Sequence, residues 1–183
     1  MIQFALVLVA AIVVGLIVLY NRLISMRRLM ENAWADMDVF LKRRADLIPN
    51  LVAAVKGASD FEQSTLARLV EARQGISQAS GATPERQQTE ASITSGLSRV
   101  TMIAESYPDL KASANFLDLQ RQLSETEKLI ASSRQYYNAC VRDYNVLIES
   151  FPSNLVASFA KLTPRDFFEI DTPSERSAPT VGL

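Results

Sequence analysis

From Ile2 to Tyr20 the chain carries one strongly polar side chain, Gln3, and no charge appears until Arg22. A helix of that length rises about 29 Å, close to the roughly 30 Å hydrocarbon thickness of a bilayer. The pattern predicts a transmembrane helix over residues 1–21. A cleaved signal peptide is the poorer reading, because no Lys or Arg precedes the run and Tyr20-Asn21-Arg22-Leu23 offers no A-x-A site. Arg22, Arg27 and Arg28 follow the run ahead of the first acid, Glu31. Positive residues beside a span tend to stay in the cytoplasm, which puts the amino terminus outside and the bulk of the chain inside. Ala11 and Gly15 are spaced as small-xxx-small. In so Ala/Gly-rich a span, chance is the simpler account of that spacing.

Beyond the span the period becomes that of amphipathic helices. Trp34, Met37, Leu41, Ala45, Ile48, Val52 and Val55 recur three and four apart, flanked by Phe40, Leu47 and Leu51, which describes a helix from about Leu23 to Lys56. Neither Gly nor Pro interrupts residues 16 to 48, so the span is expected to run straight into it, with a kink at Pro49. Gly57 reads as a C-terminal cap and Ser59-Asp60-Phe61-Glu62 as a capping box that starts the next helix, to about Gln78. Thr83 and Pro84 read as N-cap and first position of a third, more polar helix to about Ser106, with a narrow stripe of Ile93, Leu97, Val100 and Ile103/Ala104. Tyr107-Pro108 is read as its stop.

A long fourth helix follows from about Ala112 to Ser150, with Phe116, Leu119, Leu123, Ile130, Tyr137, Tyr144 and Ile148 on one face and Thr126 and Ser133 as polar members. It ends at Phe151-Pro152, before a short helix over Asn154–Lys161 and an apolar Phe167-Phe168 tether. The expected fold is all-α: an N-terminal transmembrane helix, a juxtamembrane extension over 22–30, an antiparallel up-and-down four-helix bundle with a long fourth helix over 31–169, and a disordered Pro/Ser/Thr-rich tail over 170–183.

Composition removes whole classes of chemistry. The 183 residues include no histidine, which excludes Ser-His-Asp and Cys-His catalysis, HExxH zinc sites and Glu-x-x-His di-iron sites. A single cysteine, Cys140, excludes an intrachain disulfide and a cysteine zinc site. It reads as a small buried residue. Net charge is −1, so no global field favours nucleic acid.

The stretch from Trp34 to Val52, WADMDVFLKRRADLIPNLV, resembles the LemA family of bacterial membrane proteins. The resemblance returns in Val55-Lys-Gly57, Glu62, Glu71-Ala-Arg73, Tyr107-Pro-Asp-Leu-Lys111, Glu125-Thr-Glu127, Arg134-Gln-Tyr-Tyr-Asn138, Tyr144-Asn145 and Phe151-Pro152, and Tyr20-Asn21 fits the same pattern. It covers the chain to about Glu169. It implies one amino-terminal membrane helix, an antiparallel four-helix domain described as cytoplasmic, no established catalytic activity, and a loose association with membrane or envelope organisation.

Candidate membrane-surface or partner residues are Arg22, Arg27, Arg28, Arg43, Arg44, Tyr137 and Tyr144. Each juxtamembrane arginine would gain about 1 kcal/mol from an anionic leaflet. In Lys42-Arg43-Arg44 the plainer reading pairs Arg43 or Arg44 with an acid on a neighbouring helix, such as Glu127, and so fixes register. Tyr137 and Tyr144, seven apart, share a face: either an aromatic ligand groove or, more simply, core aromatics with hydroxyls at the bundle edge. Glu62, Glu71 and Glu127 converging on a divalent ion is the weakest idea.

The favoured function is a non-enzymatic, membrane-anchored scaffold or adaptor in the bacterial inner membrane. It is expected to need no cofactor or metal and to bind no nucleic acid. Its partners would be the lipid bilayer and either a second copy or other membrane proteins. The alternative is a ligand- or lipid-sensing regulatory module, and a carboxylate-only metal hydrolase stands last.

Overall fold

The first helix, α1 (Ile2–Lys56), runs unbroken from the apolar span into the packed part of the chain. A computed structural model describes residues 1–56, 63–76 and 81–169, and among these every regular element is a helix. No residue in the most apolar window of α1 is buried, whereas Leu23 is completely so. The span therefore ends in exposure, not in secondary structure. The helix also continues across Pro49, which removes one backbone donor without ending it. The proposed Gly57 cap, the Ser59–Glu62 capping box and the 170–183 tail lie outside the described residues.

The described chain falls into two compact units. The first combines Met1–Asp36 with Ser133–Phe167. Its helices are the front of α1, the rear of α5 (Ala114–Glu149) and α6 (Ser153–Phe159). Trp34 meets Tyr137 edge-to-face, ring centroids 5.6 Å apart at 65°. That contact lies beside Asp36 and Ser133, where both helices leave the unit, so within it α1 extends only toward lower numbers and α5 only toward higher ones. The two are antiparallel there, burying Leu23, Met30 and Ala33 on one and Val141, Tyr144 and Ile148 on the other.

After α5 the chain turns through a cis Phe151–Pro152 peptide into α6. The Ser153 hydroxyl, almost fully buried, lies 2.6 Å from the Leu147 carbonyl and 2.9 Å from that of Ser150, tying α6 to the end of α5. Lys161 N–H donates to Ser158 O and Leu162 N–H to Ala157 O, with Lys161 at φ 53°. This is a Schellman cap with lysine in the left-handed position glycine usually fills. The segment beyond is clamped by Asn145, whose amide donates to Arg165 O at 2.8 Å and accepts from Arg165 N at 2.9 Å.

Among the described residues, the second unit takes in the chain between Met37 and Ser132 together with Phe168 and Glu169. It holds the rear of α1, α2 (Gln63–Ile76), α3 (Pro84–Ala104), α4 (Pro108–Ala112) and the front of α5. Ile48, Val55, Leu69, Ile93, Val100 and Phe116 are among its most buried apolar residues. Thr83 caps α3, its hydroxyl accepting from Arg86 N at 3.3 Å, with Pro84 at the first helical position as the sequence implied. The third helix ends at Ala104, ahead of Tyr107-Pro108 as expected, but Pro108 has a second role. It opens the short α4, with Tyr107 as N-cap, because a ring with no N–H to satisfy suits a first turn as well as it ends a preceding one. Gly96 faces Leu69 so closely that a Cβ would sit 3.0 Å from Leu69 Cδ1, which lets α2 and α3 approach.

Gly81, just before Thr83, has φ 81° and open space around it. A methyl there meets no atom, yet the backbone conformation is one L-residues resist by roughly 1–2 kcal/mol. Gly81→Ala is expected to lower the unfolding free energy by about 1 kcal/mol. A denaturant midpoint unchanged from wild type would show that the turn relaxes instead.

Candidate functional site

The most unusual feature is a chain of charges in the second unit whose middle three members are buried. Arg44 on α1 is fully buried, as is Glu90 on α3, and Arg86 is nearly so. Glu90 sits between two guanidinium groups: Arg44 Nη2 donates to Oε2 at 2.5 Å and Arg86 Nε to Oε1 at 2.8 Å. Arg44 Nη1 also donates to Glu127 Oε1 on α5 at 2.7 Å and to Thr94 Oγ1 at 3.0 Å. Arg86 donates to Asp38 Oδ1 on α1 at 2.9 Å and to Ile76 O, at the end of α2, at 3.2 Å. Lys42 closes the outer end through Asp38 Oδ2 at 2.7 Å.

Isolated charges at such depth would cost several kcal/mol each, so their mutual pairing is what permits the burial. The same groups join four helices: α1 through Asp38 and Arg44, α2 through the Ile76 carbonyl, α3 through Arg86 and Glu90, and α5 through Glu127. An apolar seam could slide by a heptad with modest loss. A buried ion-pair chain fits one register, which is its best-attested use. Chemically the cluster offers no nucleophile and no open coordination site. Among the described residues, no three His, Cys, Asp or Glu groups lie close enough together to hold a metal ion. Glu62 of the suggested carboxylate trio lies outside those residues, and Glu127 is engaged with Arg44.

The other candidates separate by depth. Arg22, Arg28 and Arg43 are exposed, and Arg27 pairs with Glu31 at 2.9 Å one turn on. Arg44 has to be withdrawn as a surface contact, since its side chain has no exposure and meets Glu127, the acid suggested for it, together with Glu90. Tyr137 and Tyr144 are also not surface groups: both are buried in the core of the first unit, Tyr137 against Trp34. The reason is heptad geometry, as residues seven apart on α5 share the face turned to α1. Two open grooves lie in the second unit. One, about 590 Å³, runs between α2 and α3 past Arg68, Glu71, Ser92 and Arg99. The other, about 740 Å³, runs between α3 and α5 past Met102, Gln120 and Leu123.

Burial holds the Tyr137 phenol above the usual tyrosine range, with Asp166 adding to the shift and Arg165 opposing it. A raised folded value means the folded state keeps its proton longer than the unfolded chain does. The corresponding stability is complete below about pH 10 and is lost as pH rises through the folded value. Denaturant midpoints measured from neutral pH into the alkaline range should therefore fall less steeply for Tyr137→Phe than for wild type. Equal slopes would show that the phenol ionises freely.

Arg86 and Glu90 were not singled out from sequence, although a signal existed. Extended backward, the α3 stripe of Ile93, Leu97, Val100 and Ala104 lands on Glu90 and Arg86, charged residues at core positions.

A model described as the LemA family matches residues 33–182. Among curated relatives, a protein LemA from Metamycoplasma hominis is 26% identical over 137 residues, 75% of this chain. The chain spans 63% of that relative's length. Magnetosome protein MamQ 2 from Paramagnetospirillum magneticum is 22% identical over 187 residues, covering 88% of this chain and 68% of its own length. Magnetosome protein MamQ from Magnetospirillum gryphiswaldense is 22% identical over 183 residues, 86% and 67% respectively. The family match takes in the α1 seam, the whole charge cluster and the Tyr-Asn repeats of α5, and the chain is a membrane-anchored helical member of the LemA family.

Proposed function

We propose that this protein is a non-enzymatic scaffold or adaptor that holds a self-associating helical domain against the cytoplasmic face of the bacterial inner membrane. The observation that carries this reading is α1, one helix that is at once a bilayer-length span and a core element of the domain. Such continuity transmits position and serves no chemistry. The buried charges are spent on one another and leave no reactive group facing an open site. Relatives named as magnetosome proteins carry the name of a cellular structure and not of a reaction, which suits an organising role. Exposed Arg22 and Arg28 at the end of the span support the cytoplasmic orientation.

Chemical cross-linking of the full chain in native membranes tests the reading, with a tag at the carboxyl terminus labelled from either side. A ladder of self-linked species or one reproducible partner, with the tag inside, is expected. Monomers alone, or a tag reached only from outside, would remove the scaffold or its orientation. The groove between α3 and α5 favours a second reading, a lipid- or ligand-responsive module. It predicts a stability shift with lipid extract that Leu123→Trp abolishes.

A further inference from the structure

The short helix α6 is amphipathic in the wrong sense for a water-facing helix. Its buried positions are small, Ser153 and Ala157, four apart on one side. The opposite side carries Leu155 and Phe159, also four apart, 62% and 93% exposed, and Phe151 in the preceding turn is 80% exposed. Leu155 and Phe159 face out together, Phe151 is exposed in the turn before them, and three large apolar side chains left uncovered among the described residues mark an interaction surface.

The antiparallel pairing of α1 and α5 within the first unit sets the height of that surface. Trp34 and Tyr137 are level with each other. Phe151 lies as far along the chain from Tyr137 as Tyr20 lies from Trp34, and both stretches are almost wholly helix of equal rise. The α5–α6 turn is therefore level with Tyr20, the last residue of the apolar span, and burial in α1 begins at Leu23, one turn further on. The group therefore begins at the level where the apolar span ends. Cationic groups frame it: Arg22 is exposed on α1, and Lys161, also exposed, ends α6. Lys161 stands there at φ 53°, where glycine would be less strained.

From this juxtaposition we propose that Phe151, Leu155 and Phe159 form a second membrane contact, an interfacial foot seated among the headgroups and outer acyl carbons of an anionic leaflet beside the exit of the span. Aromatic residues favour that depth, and Arg22 and Lys161 would meet the lipid phosphates. The foot fixes the first unit against the membrane at two points, where a lone span leaves it free to swing. A lipid seat is favoured over a second copy because the group sits where the bilayer surface itself must lie. The inference rests on the membrane-anchored reading.

The test uses the full chain carrying Cys140→Ala and single reporter cysteines, each with an environment-sensitive fluorophore. The protein is reconstituted into phosphatidylcholine–phosphatidylglycerol vesicles doped with lipids nitroxide-labelled at a shallow or a deep position. Reporters at Leu155→Cys and Phe159→Cys should be quenched by the shallow nitroxide several-fold more than one at Arg142→Cys, an exposed site further along α5 from the membrane. If they instead match the Arg142 site and are quenched by aqueous iodide, the foot is in water and the proposal falls. Protection from both quenchers would show a protein partner over the group and would overturn it equally. A reporter at Val14→Cys separates the two levels of the argument. Strong quenching there by the deep nitroxide, with none at 155 and 159, refutes the foot alone, whereas no deep quenching at 14 refutes the anchor itself.

Discussion

Replacing Arg44 with methionine is expected to lower the unfolding free energy by about 3–5 kcal/mol, the cost of leaving a buried partner charge uncompensated. The stranded group is Glu90, which has no exposure and keeps only Arg86. Equilibrium denaturation of the detergent-solubilised full chain, followed by far-ultraviolet circular dichroism, reads the effect directly. Glu90→Leu should cost at least as much, because it takes a buried carboxylate partner from two buried guanidinium groups at once. Glu127→Ala should cost only about 1 kcal/mol: its side chain is 40% exposed, so water replaces much of what Arg44 supplied. The order of these three losses is the informative result. If Arg44→Met came within about 0.5 kcal/mol of wild type, as ordinary surface substitutions do, the cluster would be hydrated and could not fix the helix register.

A second comparison separates stability from specificity. Replacing Arg44, Glu90 and Arg86 together by apolar residues of similar volume removes the desolvation penalty along with the pairing, and such exchanges are often neutral or stabilising. The triple variant should recover most of the stability lost by Arg44→Met. If it does so while its amide spectra show several packed forms, the charges are retained for register. If it stays uniquely folded, the apolar seams alone suffice.

These charges also mark where sequence reading stops. The span and the α1 seam were legible because bilayer length and a three-four spacing of apolar residues each have few alternative explanations. The N-cap at Thr83 was legible because Thr-Pro before a helical pattern has a mechanism of its own. Arg44 was harder. Counted strictly by heptads, Leu41, Ile48 and Val55 place Arg44 among the core positions, but Ala45 beside it offers an apolar substitute, and either registration is plausible until α3 is seen against it. Glu90 and Arg86 were missed because a charge at a seam position reads as the edge of the stripe unless its partner is known. That partner lies on another helix, beyond any local pattern. The outward-facing row on α6 was hidden for a different reason. Phe151, Leu155 and Phe159 look like core residues, and only the exchange of small residues for large ones on the inner face reveals that they point away from it.

The second large effect concerns the span. Val9→Lys with Val13→Lys, both at exposed positions of α1, is expected to abolish membrane integration of the full chain. Thirteen Leu, Ile, Phe and Val residues lie between Ile2 and Tyr20. At about −0.3 to −0.6 kcal/mol each, they supply roughly −4 to −8 kcal/mol toward insertion. Two lysines near the centre cost about 5–7 kcal/mol and delete two of the contributing valines, which brings the balance to about −2 to +4 kcal/mol and so removes most or all of the drive to insert. Alkaline carbonate extraction reports the outcome: wild type remains in the pellet and the double variant moves to the supernatant or aggregates. Lysines at Gln3 and Tyr20 should leave integration intact, since near the ends their ammonium groups snorkel to the headgroups. Were the central double variant still resistant to carbonate, the span would not be what holds the chain in the membrane. The row on α6 would then have to carry that attachment, and a seven-residue helix is too short to bury the area required for it.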